Sequence, residues 1–238
     1  MSNSQVGTYK FEAFPFHLDV RGKLSMGVLG KHLLNCADAY AAERGFDVVE
    51  QGGEHYTWVL SRLAIELEDL PSCHESFSIQ TWVENVYRLF ADRNFVICNK
   101  DEKPIGYVRS VWAMISMETR NPANLLDLHG DRITNSICEK ECPIAKPGRI
   151  KVSQQEAVSE YVAKYSDLDI NGHVNSIKYI EHILDIFPLD IYKKKALKRF
   201  EIAYVAESYY GDTLSFYLEE KNENEYDIEV RKSSNEDV

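Results

Sequence analysis

Residues 165–187 read YSDLDINGHVNSIKYIEHILDIF and contain the strongest periodic signal in the chain. From Val174 to Phe187 the apolar residues recur at steps of three and four, which is the period of one face of an α-helix. Pro188 predicts the end of this helix, because proline disfavours helical geometry in the residue before it. The polar residues that precede Val174 predict a loop that enters the helix.

A second stretch with the same period lies earlier in the chain, from Ser25 to Arg44, and reads SMGVLGKHLLNCADAYAAER. Ser25 is the predicted N-cap, and Gly45 is predicted to stop the helix. Aligning the apolar stripes of the two helices gives an offset of about 148 residues, so that Ser25 is the expected counterpart of His173.

Elsewhere the apolar period changes to two, which is typical of strands. Predicted strands cover residues 58–68, 77–84, 105–117, 198–207, 214–218 and 226–230. The turn and strand HESFSI at 74–79 resemble GDTLSF at 211–216, and each half reads strand, helix and then further strands. This order indicates an internal duplication in an α+β protein with antiparallel sheets.

A long helix on a curved antiparallel sheet is the hotdog arrangement, so we predict a double hotdog. The first unit is predicted at 1–122, a linker at 123–150 and the second unit at 151–238. Four strands are expected after the first helix but only three after the second, and residues 235–238 end the sequence. Either the last strand of the second unit is absent from this sequence, or the strand count is wrong.

Composition excludes several classes of protein. The chain has 238 residues with 27 Lys+Arg against 38 Asp+Glu, and its formal charge of −11 argues against a nucleic-acid binder. Its five cysteines are scattered, and Cys138 and Cys142 lack two further ligands at zinc-motif spacing, so no metal and no cofactor are expected. We find no apolar run long enough to span a membrane and no apolar core of a signal peptide, which predicts a cytoplasmic protein.

The densest polar cluster lies in the loop before the second helix. Asp169, Asn171 and His173 alternate, so their side chains would point the same way if the segment were extended. Such a set suits acid–base chemistry beside the partly positive N-terminus of a helix, but the same residue types also suit a capping loop. Glu207, at the end of a predicted strand, is a further candidate; an exposed strand-end charge is the alternative.

The run from Tyr165 to Ile180 resembles the signature of plant and bacterial acyl-acyl carrier protein thioesterases, Trp-Ser-Asp-Leu-Asp-x-Asn-x-His-Val-Asn-Asn-x-Lys-Tyr-Ile. Residues 81–83, 110–114 and 118–120 also match landmarks of that family. The resemblance covers nearly the whole chain.

The resemblance implies a double hotdog that hydrolyses the thioester between a fatty acyl chain and acyl carrier protein, in fatty acid biosynthesis. It places the catalytic Asp, Asn, His and Glu of the family on Asp169, Asn171, His173 and Glu207. The family has Tyr-Arg-Arg-Glu-Cys where this chain has Tyr-Val-Ala-Glu-Ser at 204–208, so Ser208 replaces a cysteine. That departure argues against a thiol nucleophile and favours direct attack by water.

The resemblance also implies a first unit that supplies most of the acyl-chain pocket, although its tryptophans and Phe77 equally suit an ordinary core. An acidic carrier protein needs a positive patch on this acidic chain, and the candidate cluster contains Lys193, Lys194, Lys195, Lys198 and Arg199. A solvated loop is the alternative for that cluster. A coenzyme A thioesterase on the same fold and a non-catalytic module that binds acyl thioesters stay open, as does a homodimer.

Overall fold

The computed structural model describes residues 5–233 and separates into two compact units. The first unit contains residues 1–147 and 195–203, and the second contains residues 148–194 and 204–238. Residues 1–4 and 234–238 lie outside the described part, so the expected end of the second unit at 235–238 does too.

The first unit contains one long helix and an antiparallel sheet. The elements are β1 (Gly7–Glu12), α1 (Met26–Glu43), β2 (Val49–Gln51), β3 (Glu54–Leu67), β4 (Ser76–Val86), β5 (Ala91–Asn99), β6 (Pro104–Ser116), α2 (Leu125–His129), α3 (Asp131–Thr134) and β8 (Arg199–Ala203). Six strands of the sheet run in the order β1-β4-β5-β6-β3-β2, and the seventh, β8, pairs with β3.

Helix α1 forms where the sequence predicts it. The Ser25 hydroxyl accepts a hydrogen bond from the Val28 amide (3.3 Å), which satisfies one of the orphan donors at the helix start. The apolar stripe, including Leu29, Leu33 and Tyr40, is buried. Gly45 follows the helix with φ of 68°, a conformation that glycine adopts without steric cost.

The second unit repeats this arrangement on a smaller scale. Its elements are β7 (Ser159–Val162), α4 (Ser176–Asp185), α5 (Leu189–Lys194), β9 (Thr213–Asn222) and β10 (Glu225–Ser233), with the sheet order β10-β9-β7. Helix α4 buries Ile177, Ile180 and Ile183, and the Phe187 ring that follows packs edge-on against Tyr226 of β10 at 5.0 Å. Each unit is thus a helix on an antiparallel sheet, as the hotdog prediction requires.

The offset between the two helices differs from the prediction. Both units contain a strand, a single 3₁₀ turn (Pro15–His17 or Tyr165–Asp167) and a helix that starts at Met26 or Ser176. The 3₁₀ turns and the helix starts lie 150 residues apart, two more than expected, because α4 begins after the N-cap Asn175 and not at Val174. The counterpart of His173 is therefore Lys23, and Ser25 corresponds to Asn175.

The unit boundaries also differ from those that the sequence suggested. Much of the predicted linker at 123–150 packs into the first unit, where α2 and α3 bury Leu125 and Ile133. The predicted strand at 198–207 forms as β8, which belongs to the first unit although it follows the second helix in the sequence. It ends at Ala203, and its backbone pairs with β3 from Glu66↔Arg199 to Arg62↔Ala203, because an open strand edge of the first sheet supplies its hydrogen-bond partners.

Candidate active site

The loop before α4 is a tight turn and not an extended segment, so the condition under which Asp169, Asn171 and His173 would point the same way is not met. The Asp169 amide donates to the His173 carbonyl (2.8 Å), and the Gly172 amide donates to the Asp169 carbonyl (3.1 Å). Gly172 closes the turn with φ of 80°. Asp169, Asn171 and His173 therefore lie on one small loop, but they do not share one face of a strand.

Asp169 holds this turn together. Its Oδ1 accepts hydrogen bonds from the amide of Asn171 (2.8 Å) and from the amide of His173 (3.2 Å). Aspartate commonly stabilises turns in this way. The Asn171 side chain is exposed at the tip of the loop. Asp169 thus fixes the backbone that presents Asn171 and His173.

His173 and Glu207 meet although 34 positions separate them in the sequence. His173 Nε2 lies 3.5 Å from Glu207 Oε2, and the two side chains are 16 % and 36 % exposed. The Tyr209 ring packs edge-on against the imidazole at 5.0 Å between centroids. The pair is half-buried and still reachable from solvent, which suits a base that must activate a water molecule.

The segment that carries Glu207 is attached at several points within the second unit. Lys232 Nζ on β10 donates to the Glu207 carbonyl at 2.5 Å. The carbonyl of the buried Ser208 accepts from the Val174 amide (2.8 Å), and the Tyr204 hydroxyl donates to the Ser176 carbonyl (2.8 Å). Ser208 thus anchors the start of the helix through its backbone.

A buried polar network that the sequence did not predict lies beneath this loop. The Asp167 carboxylate, 2 % exposed, accepts from the Tyr161 hydroxyl and the Lys164 amide, both at 2.8 Å, and contacts His182 Nε2 at 3.1 Å. The Tyr161 and His182 rings lie 4.0 Å apart. The available signals in the sequence were an Asp at the predicted helix entrance and a His within the predicted helix.

These contacts change the acid–base properties of the network. Burial favours the neutral acid, but the hydrogen bonds from Lys164, Tyr161 and His182 outweigh it and hold the pKa of Asp167 below its usual value. Burial, with the bond to Asp167, raises the pKa of Tyr161 to about 12. Asp167 is therefore an anion at neutral pH, and because a carboxylate only accepts hydrogen bonds, His182 Nε2 carries a proton.

Several side chains of the predicted basic cluster form ion pairs or hydrogen bonds with other residues of the protein. Arg199 forms ion pairs with Glu66 and Glu201, and Lys198 Nζ donates to the Glu68 carbonyl (3.0 Å). Lys193 pairs with Asp190 at 3.2 Å on the surface. Exposed basic side chains at the centre of the cluster are Lys193, Lys194 and Lys195.

The aromatic side chains considered for an acyl pocket have core contacts in the first unit. Phe77 and Trp82 are buried, and the Trp82 indole donates to the Lys140 carbonyl (2.8 Å). The Trp58 indole donates to the Phe46 carbonyl (2.8 Å), and Trp112 donates to the Ser110 hydroxyl (2.8 Å). Core packing thus accounts for Phe77 and Trp82.

The remaining classes of site can be checked within residues 5–233. All five cysteines are free thiols, and no group of three or more His, Cys, Asp or Glu side chains in this range has metal-binding geometry. No helix in the same range combines the length and apolar character that crossing a bilayer requires.

Comparison with known proteins identifies the family. Residues 5–130 match the model of the acyl-ACP thioesterase N-terminal domain, and residues 150–237 match that of the C-terminal domain. The palmitoyl-acyl carrier protein thioesterase of Gossypium hirsutum is 26 % identical over 177 residues, which cover 71 % of this chain and 43 % of the relative. The oleoyl-acyl carrier protein thioesterase 2 of Arabidopsis thaliana is 28 % identical over 183 residues, covering 72 % and 49 %. The chain thus spans less than half the length of these plant relatives.

Solved structures agree with the double hotdog fold. An acyl-ACP thioesterase from Bacteroides thetaiotaomicron is 59 % identical and superposes with a TM-score of 0.91, covering 98 % of this chain and 94 % of the other. The 12:0-ACP thioesterase of Umbellularia californica, only 16 % identical, shares the fold with a TM-score of 0.84 over the same fractions. Both matched domains and the shared fold lead to one conclusion: this chain belongs to the acyl-acyl carrier protein thioesterase family.

Proposed function

We propose that this protein hydrolyses the thioester of fatty acyl-acyl carrier protein and releases a free fatty acid and the carrier protein. The observation that carries the proposal is the contact between His173 Nε2 and Glu207 Oε2 at 3.5 Å, directly before the N-terminus of α4. Membership of the family supports the substrate class.

The chemistry is a direct attack by water. His173 takes a proton from the water molecule as its oxygen bonds to the thioester carbonyl carbon, and Glu207 stabilises the imidazolium that forms. The side-chain NH₂ group of the exposed Asn171 donates to the oxyanion, and one such donor typically contributes about 3 kcal/mol. The C–S bond then breaks, and His173 returns the proton to the departing thiolate.

Hydrolysis of acyl-acyl carrier protein by the wild type and three variants tests this mechanism. His173→Ala and Glu207→Ala should each lose about a hundredfold or more in kcat, the usual contribution of a positioned base. Ser208→Ala should keep most of its activity, because the contact that Ser208 makes with Val174 uses its backbone carbonyl. Full activity of either of the first two variants contradicts the proposal, and loss in Ser208→Ala alone indicates a covalent route.

Two rival activities are separated by the substrate. One acyl chain presented on acyl carrier protein and on coenzyme A should be hydrolysed with a higher kcat/KM on the carrier protein. The opposite preference indicates a coenzyme A thioesterase. Tight binding of both thioesters without turnover indicates a non-catalytic module, which would have no need of the His173–Glu207 pair.

For the carrier protein we propose a docking patch on Lys193, Lys194 and Lys195, with Lys198 and Arg199 at its margin. Support comes from the exposure of the three lysines and from the acidic character of the carrier. Charge reversal of the three to Glu should raise KM for the carrier-linked substrate and leave KM for a small acyl thioester unchanged. The matched control reverses the exposed Lys10, Lys100 and Lys103, and equal effects of both triple variants contradict docking here.

Three further expectations depend on this function. The first unit is expected to take the acyl chain, and a turnover panel across chain lengths with substitutions in that unit tests it. A homodimer is tested by sedimentation of the intact chain. A cytoplasmic location is tested by cell fractionation.

A further inference from the structure

The buried network of Asp167, His182 and Tyr161 lies at the base of the loop that carries the proposed active site. The Asp167 carbonyl accepts from the amide of Asn175, the N-cap of α4, at 2.8 Å. Asp167 and Asn175 thus close the two ends of a short loop, and Asp169, Asn171 and His173 all lie between them. A shift of Asp167 therefore displaces the whole loop that contains these residues.

The side chain of Asp167 connects the start of this loop to a strand and to a helix. Its Oδ2 binds the hydroxyl of Tyr161 on β7, and its Oδ1 binds the imidazole of His182 on α4. A buried carboxylate is costly unless such donors compensate the lost hydration. The loop is therefore fixed to the sheet and to the helix by one anion.

The first unit shows that the fold of this turn does not require the network. At the positions 150 residues earlier stand Phe11, His17 and His32, whose rings pack together, with 4.2 Å between the centroids of Phe11 and His32 and 6.1 Å between those of His17 and His32. The His17 carbonyl still accepts from the Ser25 amide at 2.9 Å. The same backbone thus forms over an aromatic cluster, and the anionic network occurs under the loop that contains His173.

We propose that Asp167, held by His182 and Tyr161, is a positioning residue that fixes the loop so that the His173 imidazole stays against Glu207. This inference rests on the proposed hydrolase function. Asp167 acts through the backbone of the loop and through the amides that Asp169 binds; its own carboxylate is buried and does not reach the substrate.

The central test is the substitution Asp167→Asn, with Tyr161→Phe as a second variant that introduces the residue of the first unit. An asparagine is uncharged and has one acceptor oxygen, so it cannot accept hydrogen bonds from Tyr161, Lys164 and His182 as the carboxylate does. We expect kcat to fall about tenfold to a hundredfold in Asp167→Asn and less in Tyr161→Phe, with KM changed less than about threefold, because misplacement of a catalytic group affects turnover more than binding. Asp167→Glu, which keeps the charge, should recover part of the lost turnover.

Hydrogen exchange of backbone amides separates positioning from a general loss of stability. In Asp167→Asn the amides of Asn171 and His173 should exchange faster, while those of Arg21 and Lys23, which make the same bonds to Asp19 in the first unit, should be unchanged. A matched control, His17→Asn, alters the counterpart position in the first unit and should leave kcat unchanged.

Distinct outcomes overturn the two proposals. If the wild type hydrolyses no acyl thioester, the proposed function fails, whereas faster exchange confined to residues 171 and 173 still supports the positioning role. If Asp167→Asn and Tyr161→Phe keep the wild-type kcat, or if exchange rises equally in both loops, the positioning role is wrong. Should Asp167→Asn fail to fold, Tyr161→Phe alone decides, by the same two measurements.

Discussion

Residues 13–25 and 163–175 form the same turn in the two units, and they differ in what the turn carries. Asp19 Oδ1 accepts from the amides of Arg21 (2.8 Å) and Lys23 (3.2 Å), and Asp169 Oδ1 accepts from those of Asn171 and His173 at the same two distances. Each turn has a glycine with positive φ, Gly22 at 71° and Gly172 at 80°. The two loops thus share the same backbone hydrogen bonds.

The two loops differ in the side chains that they present. Where the first has Lys23, whose Nζ binds Asp69 at 3.1 Å, the second has His173 beside Glu207. The Asp of the turn occurs in both, so its presence alone does not indicate catalysis. The capping-loop interpretation of residues 165–175 is confirmed for Asp169 and Asn175, whose side chains bind backbone amides, while the functional interpretation of the loop stays a prediction.

The largest effect is expected from exchanging the residue that differs most. His173→Lys, which introduces the residue of the first loop, should lower kcat/KM about a hundredfold to ten-thousandfold, because a protonated lysine cannot accept a proton from water. Lys23→His makes the reverse exchange in the first loop and should leave kcat/KM unchanged. Steady-state hydrolysis of acyl-acyl carrier protein measures both, and an active His173→Lys enzyme would refute the role of the imidazole.

The aspartate shared by the two loops allows structure and catalysis to be separated. Asp19→Ala and Asp169→Ala should each lower the free energy of unfolding by about 1–3 kcal/mol, since each leaves two backbone amides without their acceptor. Only Asp169→Ala should also lower kcat, by about tenfold to a hundredfold. Denaturant unfolding and turnover measure the two effects. An equal loss of kcat in both variants would contradict a catalytic role confined to the second loop.

Acid should weaken the first unit at a milder pH than the Asp167 network. Burial, with the charge of Arg132, lowers the pKa of His129 to about 4, and burial with the neighbouring His17 lowers that of His32. A histidine that is neutral when folded but titrates near pH 6.5 when unfolded stabilises the fold less as pH falls from about 6.5 to 4. Asp167, whose pKa is lowered, contributes stability that is present above about pH 4 and lost as pH falls through its folded pKa.

Histidine NMR titration and unfolding measurements between pH 7 and 4 check this difference. His129→Asn removes the titrating group and should make the free energy of unfolding depend less on pH in that range. A His129 resonance that titrates near pH 6.5 would contradict the prediction.

The smallest effect is expected at the glycines of the turns. Gly22→Ala and Gly172→Ala should each cost about 1 kcal/mol, because an L-residue is strained at positive φ although open space surrounds both positions. Activity should fall only in Gly172→Ala, because this glycine precedes His173. Paired thermal unfolding and kinetic assays measure this, and a Gly22→Ala variant that loses activity equally would argue against independent roles of the loops.

Much of the fold could be predicted from local patterns. The period of α1 and its cap at Ser25 are confirmed, as are the strands predicted at 77–84, 105–117, 214–218 and 226–230. The start of α4 was placed too early, because apolar periodicity continues through Val174 while the cap is Asn175. The two-residue error hid the correspondence of Asp19 with Asp169.

Local patterns predict the two helices, the alternating strands, the duplicated order of elements and the motif around His173, because these depend on neighbouring residues and on backbone geometry. The pairing of β8 with β3, the contact of Glu207 with His173 and the bonds of Asp167 to Tyr161 and His182 depend instead on tertiary packing. An alternating pattern indicates which face of a strand is buried but not which edge it pairs with. Contacts between residues distant in the chain are fixed only once strands and helices pack.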